Sequence, residues 1–507
     1  MFEQPCFYGD LNYDEACVNL RHEDGANAWL YALSSDCVSV SCFFNKSIVI
    51  VIYVIRIKIS NLSWFLIKKK FFPALLIIFG IIVCFLIGLS ISRQIWQLIQ
   101  EKCMKRTENQ VSNEGVKKRR VKSIDTFRGI SILFMIFVNN GAGGYYVMEH
   151  ATWNGLLMGD LVFPCFMWIM GFCIPIALSS QLSRGVSKFD MSIGIIKRSI
   201  WLFLIGLALN TLGTRSQLEK IRIFGVLQRF GIAYLIVALL FLLLTPRKPK
   251  RIQVSMLLHR QLKDISILLP QWCIILVIVV VHCLLTFKLP VPGCPTGYLG
   301  PGGRHEDGKY FNCTGGAAGY IDDLILTPGH VYQKLAIISV YGSKPFDPEG
   351  ILGCLTTIFQ VFLGVQAGEI LLCYKDWKDR VVRWLLWAVL LAIVGFFAHV
   401  YVIPVNKNLW SLSFALVTTA FALGLLSACY LLVDVARIWR GGPFRIPGMN
   451  ALLMYVGHLL CYQIFPFHWR IGTMHSRALV LIEAIWGVVL WTIIAYVMHR
   501  KRTYITL

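Results

Sequence analysis

The residues able to do chemistry crowd into one stretch of this 507-residue chain. Ser123-Ile124-Asp125-Thr126-Phe127-Arg128-Gly129-Ile130 opens an apolar run that closes at Asn139-Asn140-Gly141-Ala142-Gly143-Gly144. His150-Ala151-Thr152-Trp153-Asn154-Gly155 and Asp160-Leu161-Val162-Phe163-Pro164 come next. Imidazole, with an ordinary pKa of about 6.5, both takes and returns a proton in a mildly acidic compartment, so His150 is the candidate acid–base group. An interfacial histidine with a satisfied hydrogen bond fits the same spacing. Asp160 and Pro164 either orient His150 or cap and shape the helix they begin. Asp125 and Arg128, three apart, share a helical face and suit a structural ion pair at a membrane boundary. Asn139 stands fourteen positions after Asp125, about 21 Å along a helix at ~1.5 Å per residue, hence toward the opposite membrane face. The glycines at 141, 143 and 144 end that helix and let backbone approach a ligand, as would a plain turn. Farther along, Asn406, Lys407, Asn408 and Trp410 combine amide, ammonium and indole groups at a helix entry, which suits either a grip on a polar ligand or an aromatic-belt anchor. His282, His399 and His458 stand alone in apolar sequence and read as helix–helix hydrogen bonds.

The elements that must position these groups are membrane helices. A hydrophobic share of 56%, a charged share of 15% and a mean hydropathy of +0.64 leave too little polar surface for a water-soluble globule. Apolar runs long enough to cross roughly 30 Å of hydrocarbon occur near 71–91, 124–140, 157–178, 194–212, 226–244, 265–287, 351–373, 381–402, 410–432, 448–465 and 478–498. The expected fold is therefore an all-α polytopic membrane protein with about eleven transmembrane helices. Basic residues set its orientation. The segment 92–122, rich in Lys and Arg, is the cytosolic linker between a first helix at 71–91 and a core at 123–507. The connectors Arg184–Arg198, Arg247–Arg260, Lys375–Arg383 and Arg437–Arg445 and the tail Arg500-Lys501-Arg502 fall on the same side. Residues 139–155 carry no Lys or Arg and face the lumen, as does the long loop 288–349. Residues 1–70 are expected as a short luminal segment and the C-terminus as cytosolic. No secretory signal heads the chain, so the first span is expected to serve as its own anchor.

Lys plus Arg exceed Asp plus Glu by 49 to 27, but the excess lies between apolar runs and no basic face is interleaved with aromatics, which argues against nucleic-acid binding. The sixteen cysteines include no CxxC pair and no Cys/His cluster at zinc spacing, so no metal is expected. Cys294 and Cys313 lie in the long loop beside the sequon Asn312-Cys313-Thr314. A luminal loop makes Asn312 a glycosylation acceptor. It also permits a disulfide, either between these two cysteines or to Cys6, Cys17, Cys37 or Cys42.

The run from Arg120 to Leu209 resembles the catalytic core of the heparan-alpha-glucosaminide N-acetyltransferase family. Further motifs extend the resemblance over about 120–500: the loop from Leu289 to Gly303, Asn312 to Asp322, Asp347 to Gly353, Phe362 to Gly368, Ile403 to Ser413 and Pro447 to Asn450. It implies a lysosomal membrane enzyme that takes acetyl groups from cytosolic acetyl-CoA and places them on the terminal non-reducing glucosamine of heparan sulfate in the lumen. It places the family's active-site histidine on His150 and its partner asparagine on Asn139, and it implies a homodimer. Residues 1–70 do not resemble the longer luminal domain of family members. In the implied reaction His150 serves as base toward the acceptor amine or carries the acetyl group itself, Asn139 steadies the oxyanion or the imidazole, and Arg128 is a candidate contact for the nucleotide end of the donor. A transporter or flippase of an anionic or acylated solute is the other class that a polytopic chain with polar groups in its spans fits.

Overall fold

A computed structural model describes residues 15–21, 27–33, 120–212, 217–245, 262–472, 474 and 476–505. The expected first span near 71–91, the basic linker as far as residue 119, the connector at 247–260 and Cys6, Cys37 and Cys42 lie outside these residues. The N-terminal stretch contributes an antiparallel pair, β1 (Glu15–Arg21) and β2 (Asn27–Leu33), with Glu15 opposite Leu33.

The remaining regular structure is helical. Its first helices are α1 (Lys122–Asn139), α2 (Val162–Ser183), α3 (Lys188–Thr211), α4 (Val226–Leu244) and, after a single turn at Lys263–Ile267, α5 (Leu269–Lys288). Two short helices, α6 (Ala317–Leu326) and α7 (Ala336–Tyr341), lie in the long loop. Then come α8 (Ile351–Cys373), α9 (Trp377–Tyr401), α10 (Leu412–Tyr430), α11 (Arg445–Met449), α12 (Ala451–Leu460) and α13 (Arg477–Arg500). Eight of them, α2, α3, α4, α5, α8, α9, α10 and α13, are long and apolar enough to cross a bilayer. Apart from the β1–β2 pair, the described chain is an all-α polytopic membrane protein. Among the other expected spans, 124–140 is the 18-residue α1, which carries Lys122, Asp125 and Arg128 in its first two turns. The run 448–465 is no single span: the chain breaks at Asn450 between α11 and α12, and α12 stops at Leu460.

Burial orders the bundle. The spanning window of α8 is 89% buried, against 22% for α3 and α5, so α8 is the central helix and the other two are peripheral. Leu386, Val389, Leu390, Ile393 and Phe397 of α9 point outward, as suits a helix against lipid. In hydrocarbon no hydrophobic force draws helices together, so close backbone approach at small residues supplies the packing. A Cβ on Gly171 of α2 would overlap the Val361 carbonyl of α8, and one on Gly364 or Gly368 would overlap the carbonyls of Trp168 or Phe172. The segment Gly364-Val-Gln-Ala-Gly368 is thus the seam on which α2 and α8 cross. The contact of α1 with α11 obeys the same rule, Gly129 lying on the Phe444 carbonyl and Gly448 on that of Asp125. Asp434 closes the start of α1 by accepting the N–H groups of Lys122 (3.1 Å) and Ser123 (2.9 Å), donors a helix leaves unpaired.

Candidate active site

At the far end of α1 the chain turns through four residues with positive φ, Gly141, Ala142, Gly143 and Gly144, and descends to His150. A 3-10 turn at Met158–Leu161 then leads into α2. The two limbs touch at Gly159, where a Cβ would meet the carbonyls of Glu149 (2.6 Å) and Met148 (2.8 Å); only glycine fits. That contact brings His150 over Asp160, which is fully buried. Asp160 Oδ2 accepts the N–H groups of Ala151 (3.1 Å) and Leu157 (3.0 Å), and its Oδ1 lies 2.9 Å from His150 Nδ1. A carboxylate so placed fixes the imidazole with its proton on Nδ1 and the lone pair on Nε2. The His150 side chain is 46% exposed, and Nε2 has no protein partner among the described residues, so the basic nitrogen is open to a substrate.

A second segment locks onto the first. Asn406 pairs with Asn154 as an isolated bridge; Gly155 N–H donates to Val405 O (2.8 Å), Asn406 Nδ2 to Asn154 Oδ1 (3.1 Å) and Asn408 Nδ2 to Thr152 O (3.0 Å). Trp410 lies at φ 49° and donates from Nε1 to Gln360 Oε1 (3.0 Å). Asn406 and Trp410 are almost wholly buried and their polar atoms are occupied by protein. Of the four residues singled out there, only Lys407 reaches His150, its Nζ 2.8 Å from Nδ1 and 3.5 Å from Asp160 Oδ1. Crowding of the ring by protein and the Lys407 ammonium lower the His150 pKa below its usual value, against the pull of Asp160 and Glu349.

Behind this pair lies an ionic cluster that reading of the sequence missed. Arg222, in the loop before α4, forks onto Asp347 through Nε (2.8 Å) and Nη2 (2.6 Å) and also contacts Glu349. Burial opposes the Glu349 charge, yet Arg222, Arg229 and Lys407 together hold its pKa low. Arg229 is fully buried, donates to Gly350 O (3.0 Å) and lies 4.8 Å over the Trp410 ring. Asp322 of α6 accepts the Ile351 N–H at the start of α8 (2.9 Å), and burial pushes its pKa up to about 7. Asp322 and Asp347 had appeared only within motifs of the resemblance; no spacing rule links 222 to 347.

Asn139 is not on His150 but on His458 of α12: Nδ2 donates to Nε2 over 2.9 Å, while His458 Nδ1 donates to Met454 O (3.0 Å). The second amide hydrogen of Asn139 and its carbonyl oxygen have no protein partner among the described residues. Arg128 and Asp125 approach to 3.8 Å, and Arg128 Nη2 contacts Cys173 Sγ at 2.8 Å, far along the bundle from the glycine turn. His399 Nδ1 accepts the Val405 N–H (2.9 Å), and His282 Nδ1 is buried without a partner. Cys294 and Cys313 are bonded to each other, and Asn312 is exposed. Trp153 ties the His150 segment to the long loop through Leu299 O (2.9 Å) and the Phe346 ring. The site and that loop therefore occupy one end of the bundle.

Residues 120–284 match the family model described as heparan-alpha-glucosaminide N-acetyltransferase, catalytic. The chain is 46% identical over 402 residues to the human protein of that name, covering 76% of this chain and 59% of the relative. The mouse protein of the same name is 43% identical over 396 residues, covering 76% and 60%. The chain is a relative of these proteins. It spans about three-fifths of their length, and the shared region contains Asn139, His150 and Asp160.

Proposed function

We propose that this protein is an N-acetyltransferase that moves the acetyl group of acetyl-CoA to the amino group of a terminal glucosamine of heparan sulfate, at the end of the bundle that carries the 288–349 loop. The observation that carries the reading is the Asp160–His150 pair on a half-exposed imidazole whose Nε2 has no protein partner among the described residues, in a chain related to enzymes of that name. A glucosamine ammonium has no lone pair, so it must lose a proton before attack. That first proton passes to solvent, and His150 Nε2 takes a second as the nitrogen of the neutral amine bonds to the thioester carbon. The carbon–sulfur bond then breaks, and the CoA thiolate leaves and takes the proton back from His150. Asp160 holds the ring in the useful tautomer and stabilises the transient imidazolium. Asn139, turned by His458 so that one amide hydrogen remains available, donates to the carbonyl oxygen as it gains charge. Asn406, Asn408 and Trp410 hold the segment that carries Lys407, and Arg128 is the candidate contact for the nucleotide end of the donor from the cytosolic side. The basic connectors and the Asn312 sequon support a luminal site, the kinship with enzymes of that name supports a lysosomal membrane, and the family resemblance is the ground for a homodimer.

The test is turnover by the purified full chain in detergent, with radiolabelled acetyl-CoA and a glucosamine-terminated heparan disaccharide. Acetylated disaccharide formed without a sealed membrane supports the enzyme. Uptake of label that requires sealed vesicles, with no acetylated sugar, would favour a transporter instead.

A further inference from the structure

His150 Nδ1, Asp160 Oδ1 and Lys407 Nζ form a small triangle, with Nδ1 2.9 Å from the carboxylate, 2.8 Å from the ammonium, and 3.5 Å between the two charged groups. A ring nitrogen has one in-plane position, so it cannot donate to Asp160 and accept from Lys407 at once. With Oδ2 already filled by two backbone N–H groups, Oδ1 is the atom that needs donors. It is satisfied when Nδ1–H and Lys407 both point to it. The ammonium then lies beside the ring without serving the substrate, on a segment held to 152–155 by Asn406 and Asn408.

We infer that Lys407 is a positioning residue for His150: its charge opposes the imidazolium that Asp160 alone would favour, and so keeps the ring in its neutral, basic form in an acidic compartment. The charged groups facing the ring come from three segments. Asp160, from the turn before α2, and Glu349, from the turn before α8, both draw a proton onto His150, whereas Lys407 repels one. Arg222 stands behind Glu349 and is engaged by Asp347 and Glu349. Burial lowers the Lys407 pKa, and Asp160 and Glu349 oppose its neutralisation. An ordinary Asp–His pair is tuned upward and would be largely protonated a unit or more below neutrality. Lys407 offsets that tuning.

The inference rests on His150 acting as the base, and its test separates the two ideas. Diethylpyrocarbonate acylates an imidazole only in its neutral form, so the rate of labelling at His150, tracked by peptide mass spectrometry across pH on the full chain in detergent, reports the ring's own titration without any turnover. Lys407→Met moves the His150 midpoint up by about one pH unit, the effect of removing a like charge at contact; Lys407→Arg, which keeps the charge, leaves it near wild type. Lys407→Gln is read the same way if the Met variant fails to fold. The acid limb of kcat/KM moves with the labelling midpoint. An unmoved labelling midpoint in folded Lys407→Met overturns the inference. A shifted midpoint with an unmoved acid limb supports it and instead overturns the reading of His150 as the base.

Discussion

Replacing Asp160 by Asn keeps the shape of the side chain and removes its charge, and the surrounding hydrogen bonds dictate how the new amide must sit. In the wild type Oδ2 serves the N–H groups of Ala151 and Leu157, and Oδ1 faces His150 Nδ1 at 2.9 Å. Asparagine has one oxygen for these duties. If its NH2 faced the two backbone donors, both would lose their acceptor in a buried site, at ~1–3 kcal/mol each. If its oxygen stays with them, the two bonds lose only their charge assistance, ~1 kcal/mol each. The second orientation wins. Its amide hydrogens then point at Nδ1, which must become an acceptor, so the imidazole proton moves to Nε2 and the base is lost. The expected result is a fall in kcat of about 10²–10⁴-fold, the share general acid–base catalysis supplies, with a loss of stability of ~2 kcal/mol from those two bonds and a further loss because the Lys407 ammonium gives up its carboxylate partner. Steady-state kinetics of acetyl transfer and thermal unfolding in the same detergent measure both, and Asp160→Glu serves as the charge-retaining control. A folded Asp160→Asn protein whose kcat stays within a few-fold of wild type refutes the tautomer argument.

Three other substitutions draw on the same geometry. His458→Ala removes the acceptor that turns the Asn139 amide; it lowers kcat about tenfold or more while KM for the sugar changes little, the pattern of a lost transition-state contact, and an unchanged kcat counts against it. Arg222→Met leaves Asp347 and Glu349 without their guanidinium, which costs ~3–5 kcal/mol as a broken buried pair and is read as a lowered unfolding midpoint; no change would mean the cluster is dispensable. Asp322 keeps its proton up to about 7 in the folded protein, whereas the unfolded chain releases it near pH ~3.9. The Asp322 contribution to stability therefore declines as pH rises between those values, by ~1.4 kcal/mol per unit for one proton. Asp322→Asn, neutral throughout, flattens that decline in unfolding measured between about pH 5 and pH 7; an identical slope in the variant would exclude Asp322 as its source.

What the sequence disclosed depended on range. Apolar runs revealed the helices because hydrocarbon thickness sets their length, and they failed at 448–465, where Gly448 gives its space to the Asp125 carbonyl of α1 and the helix breaks. Composition alone does not show that intrusion. Asp160 was legible as a partner of His150 because only ten positions separate them. Lys407, 257 positions away, carried no signal toward His150, and neither did His458 toward Asn139 across 319. Asn406, Asn408 and Trp410 suited a ligand grip or an aromatic-belt anchor equally because burial and backbone partners are invisible in a sequence; folded, they spend their hydrogen bonds on the chain itself. The glycines of Phe362 to Gly368 entered as part of a motif, and only the crossing of α8 on α2 gives them a physical reason.

The central claim is that His150 Nε2 moves the proton, and His150→Ala tests it most directly. Acetyl transfer to the heparan disaccharide is measured with purified wild type and variant at matched folded concentration, the fold being checked by thermal unfolding. A loss of at least about 10²-fold in kcat/KM, with the variant still folded, is the outcome expected when a general base is removed. Activity in His150→Ala equal to wild type would contradict the account.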